Sequence, residues 1–185
     1  MDMRDKIKDM EERKKRLHEG GGAAAIERQH QLGKLTVRER LDKLFDKGTF
    51  QEIDLWVRSI KTGFDIDERE LPGDAVVTGL GKINGRPVCV YGHDFTVLGG
   101  SFGAALRHKV TRIMELAREW GIPCIGVVDS GGERIYDRFG FTAERPILGG
   151  SGVGGTATFV KTFLSFFHIL NLIPHIHILS LHHLL

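Results

Sequence analysis

Residues 123–135 read PCIGVVDSGGERI and carry the most informative pattern in the chain. The first six are nearly all apolar and have the length of one strand, which is typical of a strand covered on both faces. Asp129, Ser130 and the pair Gly131 and Gly132 follow at once. A buried strand that leads through a glycine turn toward a helix indicates an α/β layered fold.

Two strands and a helix are predicted before this segment. Residues 74–81 and 87–92 are short β-branched runs, and the Asn-Gly pair at 84–85 supplies the positive φ angles of a tight hairpin turn. Residues 102–120 carry apolar side chains at helical spacing along one stripe. The predicted order is therefore strand, strand, helix, strand, glycine turn and helix.

Two further helices are predicted nearer the N-terminus. Residues 3–18 are mostly charged, have apolar side chains at helical spacing and run into three glycines, which is typical of a solvent-facing helix with a glycine C-cap. Another helix is predicted after Thr36, because the Thr36 hydroxyl and the Glu39 carboxylate can form a capping box. This helix is expected to end near Gly48.

The composition is that of a globular domain. The chain has 185 residues, 41% of them hydrophobic and 27% charged, with a formal net charge of +2. So small a positive excess argues against a nucleic-acid-binding protein, which needs clustered basic residues. The charged N-terminus has no signal-peptide core, no segment has the pattern of a membrane span, and the two cysteines form no paired motif. A cytoplasmic protein with no nucleic-acid or membrane partner is therefore expected.

Gly131 and Gly132 are the first candidates for chemistry. Glycines between a strand and a helix let the backbone approach a ligand, while unpaired amides at the helix start point outward. Such amides can stabilise an oxyanion without a titratable side chain. The alternative is a connection in which glycine only permits tight packing. Glu133 is expected in the first helical turn, where the helix dipole favours a carboxylate.

Residues 99–103 read GGSFG and match the nucleophile-elbow pattern G-x-S-x-G. A serine hydrolase with Ser101 as nucleophile is therefore one hypothesis. It would require an acid, such as Asp129 or Asp137, and then a histidine downstream, yet every later histidine lies in the last 24 residues. The alternative is a glycine-rich turn that packs closely or lies beside a ligand.

Residues 150–185 hold two further patterns. The glycines at 150, 152 and 155 match G-x-G-x-x-G, but no clear strand precedes them, so a loop covering a site is predicted rather than a dinucleotide site. Residues 162–185 contain no Asp, Glu, Lys or Arg and five of the nine histidines. A core strand with a disordered end, or an abnormal chain end, is expected there. His175 and His177 lack a third ligand, so no metal is expected.

Four stretches occur in the order found in a known family. They are GKLTVRERL at 33–41, DKGTF at 46–50, DFTVLGGS at 94–101 and DSGGERI at 129–135. On these motifs the chain resembles the N-terminal half of the β subunit of biotin-dependent acyl-CoA carboxyltransferases, the family of propionyl-CoA carboxylase and methylmalonyl-CoA carboxyltransferase. The resemblance is closest over residues 26–135 and extends loosely to residue 163.

The resemblance implies an incomplete crotonase-like (ClpP/crotonase) α/β fold of stacked ββα units with N-terminal helices. It implies transfer of a carboxyl group between carboxybiotin and a short-chain acyl-CoA of the propionyl-CoA or methylmalonyl-CoA type, through an enolate held by backbone amides. Gly131 and Gly132 would form one side of this oxyanion hole. Gly99, Gly100 and Ser101 would shape the acyl-CoA pocket.

The implied cofactor is biotin carried on a partner protein, with acyl-CoA as substrate. Implied partners are a biotin carboxyl carrier or biotin carboxylase subunit and the C-terminal carboxyltransferase half or a second subunit, in a homo-oligomer when complete. A related alternative is the carboxyltransferase subunit of a biotin-dependent glutaconyl-CoA or methylmalonyl-CoA decarboxylase. Outside the family, a serine hydrolase using Ser101 and a non-catalytic assembly module stay open.

Three segments are predicted: a charged N-terminal helix at 1–25, a partial N-terminal carboxyltransferase domain at 26–163 and an apolar, histidine-rich tail at 164–185. The family more often has a small residue where Glu133 stands. It also has a second glycine-rich loop, the other side of the oxyanion hole, where residues 180–185 read SLHHLL. The biotin-binding half lies outside the resemblance. We therefore expect this chain to be inactive by itself.

Overall fold

The computed structural model of the chain describes residues 2–61 and 65–134. The helices are α1 (Met3–His18), α2 (Ala23–Gln31), α3 (Val37–Leu44) and α4 (Ala104–Trp120). The strands are β1 (Gln51–Ile53), β2 (Val76–Ile83), β3 (Arg86–His93) and β4 (Cys124–Val127). Short 3-10 turns lie at Asp65–Glu68, Pro72–Ala75 and Leu98–Gly100. The helix predicted after residue 135, the loop at 150–155 and the apolar tail lie outside the described residues.

The four strands form one sheet in the order β1-β2-β3-β4. The pairs β1–β2 and β2–β3 are antiparallel, and β3–β4 is parallel. The hairpin between β2 and β3 turns at Asn84 and Gly85, whose φ angles of 51° and 77° confirm the turn predicted from this pair. Helix α4 is the crossover that parallel strands need, so the predicted order of strand, strand, helix and strand is confirmed.

Hydrophobic side chains cover both faces of the sheet. The cluster on the α4 side consists of Val76, Cys89, Tyr91, Leu106, Val110, Ile113, Ala117 and Cys124. The cluster on the α3 side consists of Val37, Leu41, Phe45, Val77, Val88 and Val90. The apolar run at 123–128 is covered less fully than predicted, because β4 lies at the edge of the described sheet. Ile125 and Val127 are half-buried, and Val128 is 42% exposed.

The predicted helices α1 and α3 are confirmed. None of the side chains of α1 is buried, as expected of a solvent-facing helix. The capping box of α3 is present: the Thr36 hydroxyl accepts from the Glu39 N–H, and the Thr36 N–H donates to the Glu39 carboxylate at 2.7 Å. Helix α3 ends at Leu44, before the expected Gly48, because Phe45 becomes extended and stacks on Phe50 in the core with ring centroids 5.3 Å apart.

Helix α2 was not predicted, and the glycine run before it has a second role. Gly20, with a φ of +54°, follows α1 as expected of a C-cap glycine. At Gly21, however, a Cβ would lie only 1.8 Å from the carbonyl oxygen of Thr96, and the Gly21 N–H donates to the Thr96 hydroxyl at 3.0 Å. Glycine therefore lets the α1–α2 link lie directly on the loop that follows β3.

Candidate functional site

The two glycine turns singled out in the sequence meet at one end of the sheet. The turn at 94–103 follows β3, and the turn at 129–134 follows β4. Because β3 and β4 are parallel neighbours, their carboxyl ends lie at the same edge. Ligand sites of parallel sheets commonly form outside such strand ends.

Backbone hydrogen bonds fasten the two turns together. The Gly131 N–H donates to the Gly99 carbonyl at 2.8 Å, and the Phe102 N–H donates to the Gly132 carbonyl at 2.8 Å. The Arg134 N–H then donates to the Phe102 carbonyl at 3.0 Å. The turn containing Gly99, Gly100 and Ser101 is thus joined to the turn containing Gly131 and Gly132.

The amides of the glycine pair are engaged in this structure. The Gly131 N–H is fixed by the Gly99 carbonyl, so it is not the free donor that the sequence led us to expect. The Gly132 N–H donates to the hydroxyl of Ser130 at 3.1 Å in an exposed position. A rotating side-chain hydroxyl can leave a backbone amide more readily than another backbone group can, so Gly132 is the better placed of the two to serve a ligand.

Gly100 is needed where the turns touch. Its φ of +62° is in the left-handed region, and its Cα lies directly against the backbone of Asp129. Gly99 has nearly the same φ, +61°, but a Cβ there would meet only the Phe95 ring, at an ordinary contact distance of 3.9 Å. The glycine pair at 99–100 therefore serves both the turn conformation and the close approach of the turn after β4.

A buried ion pair that the sequence did not indicate supports this junction. The Arg134 guanidinium donates to the Asp74 carboxylate, and both side chains are buried. The Arg134 Nε also donates to the Ser101 hydroxyl at 3.0 Å. The Asp74 carboxylate in turn accepts from the Leu106 N–H at 2.7 Å, in the first turn of α4, and from the Ser59 hydroxyl. One guanidinium thereby links both turns to the start of α4.

Lys109 is a second buried charge beside this network. Its Nζ donates to the carbonyls of Gly73 and Val76 at 3.0 and 2.6 Å. Burial lowers the pKa of Lys109 to about 8. A sequence signal did exist, because Lys109 lies at helical spacing between the buried residues Leu106 and Ile113, but a lysine at such a position is more often solvent-facing.

The surroundings of Ser101 do not favour a serine hydrolase. A serine nucleophile needs a neighbouring base to take its proton, usually a histidine. The described partner of the Ser101 hydroxyl is instead the Arg134 guanidinium, which has no acceptor. Asp129, one candidate acid, is engaged elsewhere, and Asp137 lies outside the described residues.

Asp129 ties the N-terminal helices to the second turn. Its carboxylate accepts from Gln29 Nε2 at 3.3 Å, Lys34 Nζ at 3.3 Å and Arg40 Nη2 at 3.1 Å. The Lys34 ammonium also lies 5.1 Å from the centre of the Phe95 ring, in the turn after β3. Side chains of α2, α3 and the segment between them therefore contact both glycine turns.

Glu133 differs from the expectation of a helical first turn. It is extended and forms a parallel bridge with Phe102, because the backbone bonds between the turns continue to Arg134. Its carboxylate pairs with the Arg107 guanidinium on α4. The charge is thus balanced by a side chain rather than by a helix dipole within the described residues.

His93 is a further residue that the sequence did not indicate. It is the last residue of β3, only 2% exposed, and within residues 2–61 and 65–134 neither ring nitrogen has a hydrogen-bond partner. The Phe102 ring meets the imidazole edge to face, with centroids 4.6 Å apart. Burial lowers the pKa of His93 to about 4, a shift that the Asp129 charge partly opposes, so the ring is neutral near pH 7.

Within residues 2–61 and 65–134, no group of three His, Cys, Asp or Glu side chains could hold a metal ion. In the same part of the chain, no helix is both long and apolar enough to cross a membrane.

Comparison with known proteins agrees with the motifs. A profile of the carboxyl transferase domain matches residues 28–144. The chain is 45% identical over 132 residues to the methylmalonyl-CoA decarboxylase subunit alpha of Propionigenium modestum, covering 71% of this chain and 26% of that protein. It is 44% identical over 137 residues to the propionyl-CoA carboxylase carboxyltransferase subunit of Haloferax mediterranei, covering 74% and 27%.

Among solved structures, the chain is similar to a transcarboxylase 12S crystal structure with methylmalonyl-coenzyme A and methylmalonic acid bound. The TM-score is 0.73 at 39% identity, covering 76% of this chain and 28% of that one. The geranyl-CoA carboxylase beta subunit of P. aeruginosa shares the fold, with a TM-score of 0.63 at 20% identity, covering 89% of this chain and 27% of that one.

The fold and the joined glycine turns define an α/β protein of the crotonase-like class. The chain belongs to the carboxyl transferase domain family, whose profile matches more than half of its residues. It spans about a quarter of the length of the curated relatives it matches.

Proposed function

We propose that this chain is the acyl-CoA-binding part of a biotin-dependent carboxyltransferase. The observation that carries the proposal is the junction of the two glycine turns, where the Gly131 N–H bonds the Gly99 carbonyl beside the exposed Gly132 amide. The family to which the chain belongs supports the reaction class. The substrate we propose is a short-chain acyl-CoA of the propionyl-CoA or methylmalonyl-CoA type.

The described residues suggest how the thioester is held. The Gly132 N–H, once released by the Ser130 hydroxyl, would donate to the thioester oxygen as an enolate forms. One such donor contributes about 3 kcal/mol to transition-state stabilisation. The Gly131 amide would act indirectly, since its bond to Gly99 fixes the turn that aims Gly132. Gly99, Gly100 and Ser101 would shape the pocket wall.

The charged side chains at the junction fit a cofactor that brings its own base. Asp129, Glu133 and Arg134 are all engaged in ion pairs. When bound, carboxybiotin would supply the carboxyl group and a ureido nitrogen able to take the α-proton. The biotin would be carried on a partner, either a biotin carboxyl carrier or a biotin carboxylase subunit.

The proposal also includes a partner that completes the site and a division of the chain into three segments. The C-terminal carboxyltransferase half, or a second subunit, would complete the site in a homo-oligomer. Residues 26–163 would form the partial domain, after the charged segment at 1–25 and before the tail at 164–185. Helix α2 crosses the first boundary, because it begins at Ala23.

Carboxyl transfer is preferred to the other hypotheses. Relatives named carboxylase and relatives named decarboxylase match equally well, and the domain that matches this chain is named for carboxyl transfer. The Ser101 environment disfavours the hydrolase. A non-catalytic assembly module makes a different prediction, since such a module would have no affinity for acyl-CoA.

Titration calorimetry of the chain with propionyl-CoA and methylmalonyl-CoA tests the proposal. We expect a Kd near the micromolar range, which corresponds to about -8 kcal/mol. A fluorophosphonate should leave Ser101 unlabelled in the folded protein. Folded protein that binds neither thioester would favour the assembly module, and covalent labelling of Ser101 would favour the hydrolase.

A further inference from the structure

The burial of His93 without hydrogen bonds calls for an explanation. Of the four histidines in the described residues, His93 alone is buried, while His18, His30 and His108 are exposed. Both of its ring nitrogens lack a hydrogen-bond partner in the part of the chain that the structure describes. A buried polar atom left unpaired costs at least as much stability as a hydrogen bond contributes, and most such atoms in native proteins are paired. An aliphatic side chain would fill this position without that cost.

None of the described groups around the imidazole forms a hydrogen bond with its ring nitrogens. The Phe102 ring packs on it, and the Tyr91 ring centroid lies 6.3 Å away. The Asp129 carboxylate is close enough to influence the His93 pKa but bonds to α2 and α3 instead. The ring is neutral near pH 7, so it keeps one N–H donor and one unprotonated acceptor nitrogen.

The position of His93 relates it to the glycine turns. It ends β3, one strand from the turn after β4, and its Cβ lies 3.3 Å from where a Cβ at Gly100 would be. The half-buried Phe102, whose ring covers the imidazole, is bonded through its N–H to the Gly132 carbonyl. Phe102 therefore contacts both residues, and it is the one residue between the His93 imidazole and Gly132, whose amide we propose as an oxyanion donor.

We propose that the His93 imidazole is a substrate-binding group that donates a hydrogen bond to the thioester oxygen of acyl-CoA, alongside the Gly132 amide. This inference rests on the proposed function. Because the Gly131 amide is bonded to Gly99, only the Gly132 amide of this glycine pair is placed to serve a ligand, and an oxyanion is better held by two donors. A neutral imidazole donates without placing a second charge in a buried site. The Phe102 ring is the group that the ligand would displace.

The test compares His93→Leu and His93→Gln with the unchanged chain. The ligands are propionyl-CoA, free coenzyme A and S-propyl-CoA, a thioether that lacks the thioester oxygen. We expect His93→Leu to weaken propionyl-CoA binding about tenfold, the loss of one hydrogen bond, and to leave the other two ligands unaffected. His93→Gln, which keeps a donor, should recover part of the affinity. His108→Leu, an exposed histidine on α4, is the control and should change nothing.

The melting temperature of His93→Leu is a second measurement that separates the two roles. A substrate-binding role predicts that it rises, and a purely structural role predicts that it falls. Because His93→Leu removes two unpaired buried atoms, its melting temperature should rise by about 3 °C or more. A variant that is less stable, or that does not fold, would show that the ring nitrogens serve the fold, and this would overturn the proposal. An equal loss of affinity for all three ligands would overturn it too.

Nitrogen NMR of the unchanged chain, with ¹⁵N-labelled histidine, examines the contact directly. We expect a His93 ring resonance to shift with propionyl-CoA and not with S-propyl-CoA. Equal responses to both ligands would overturn the proposed bond to oxygen while leaving acyl-CoA binding intact. No binding of any coenzyme A ligand would instead mean that the proposed function itself is wrong.

Discussion

The Cα of Gly100 lies against the backbone carbonyl of Asp129 so closely that a Cβ at Gly100 would be 2.2 Å from that oxygen. Real Cβ atoms essentially never make so short a contact, and a backbone carbonyl in the turn after β4 cannot rotate away as a side chain can. This contact sets the distance between the two turns and therefore the geometry of the proposed site.

Replacing Gly100 with alanine should force the turns apart. We expect Gly100→Ala to lower the free energy of unfolding by about 3 kcal/mol or more, from positive-φ strain and overpacking together. Gly99→Ala is the matched control, because Gly99 has nearly the same φ but nothing within 3.9 Å, and it should cost about 1 kcal/mol. Urea unfolding measures both variants. Equal losses would show that the contact with Asp129 has no energetic weight.

The Asp129 carboxylate should stabilise the packing of α2 and α3 on the turn. Asp129→Asn keeps the shape but removes the charge that Lys34 and Arg40 contact, and we expect a loss of about 1–2 kcal/mol in unfolding free energy. Asp42→Asn, at an exposed position of α3, should stay within about 0.5 kcal/mol of the unchanged chain. If Asp129→Asn lost as little as Asp42→Asn, the contacts of Asp129 with Gln29, Lys34 and Arg40 would be energetically weak.

The parts of this fold that could be predicted are the elements that depend on a local sequence pattern. The β-branched runs around Asn84 and Gly85 gave the hairpin, and the helical apolar stripe gave α4. Once β3 and β4 were parallel neighbours, the meeting of the glycine turns followed. Helix α2 lacked such a pattern, since its sequence AAAIERQHQ buries only Gln29, a polar residue held by the distant Asp129.

The site residues that escaped prediction depend on partners far away in sequence. Asp74 and Arg134 are 60 residues apart, and nothing local distinguishes them from exposed charges. The engagement of the Gly131 amide likewise depends on a carbonyl of another turn. His93 is buried because Phe102 and the turn at Gly100 cover it. Such contacts are tertiary, so the sequence could indicate the turns but not which of their donors stay free.

The buried imidazole should make the protein sensitive to mild acid. The pKa of His93 is about 4 in the folded chain against an ordinary value of 6.5, so between these values only the unfolded chain binds the proton. The free energy of unfolding should therefore fall as the pH drops from 6.5 toward 4, by up to about 1.4 kcal/mol per pH unit from this group. In His93→Leu this part of the slope should vanish. If the unfolding free energies of both proteins fell equally between pH 6.5 and pH 4, His93 would not be the source of the acid sensitivity.

The two thiols should be unreactive in the folded protein. Burial raises the pKa of Cys89 to about 11 and that of Cys124 to about 12, and only the thiolate attacks a disulfide reagent. At pH 8 we expect no reaction with an aromatic disulfide over minutes, followed by release of two equivalents when urea is added. Rapid reaction before unfolding would indicate that the sheet opens at β4.

Arg134 and Asp74 should behave as one energetic unit. Arg134→Met leaves the Asp74 carboxylate buried without its counter-charge, and we expect a loss of about 3–5 kcal/mol in unfolding free energy. Arg134→Lys keeps the charge, but a single ammonium cannot bond to both Asp74 and Ser101. Its loss of unfolding free energy should therefore be smaller than that of Arg134→Met but not zero. Because Asp74→Asn removes the stranded charge, the double variant should lose less than the sum of Arg134→Met and Asp74→Asn. Strict additivity in this double-mutant cycle would mean that the two side chains act independently, and that the guanidinium does not couple the turn at Ser101 to the start of α4.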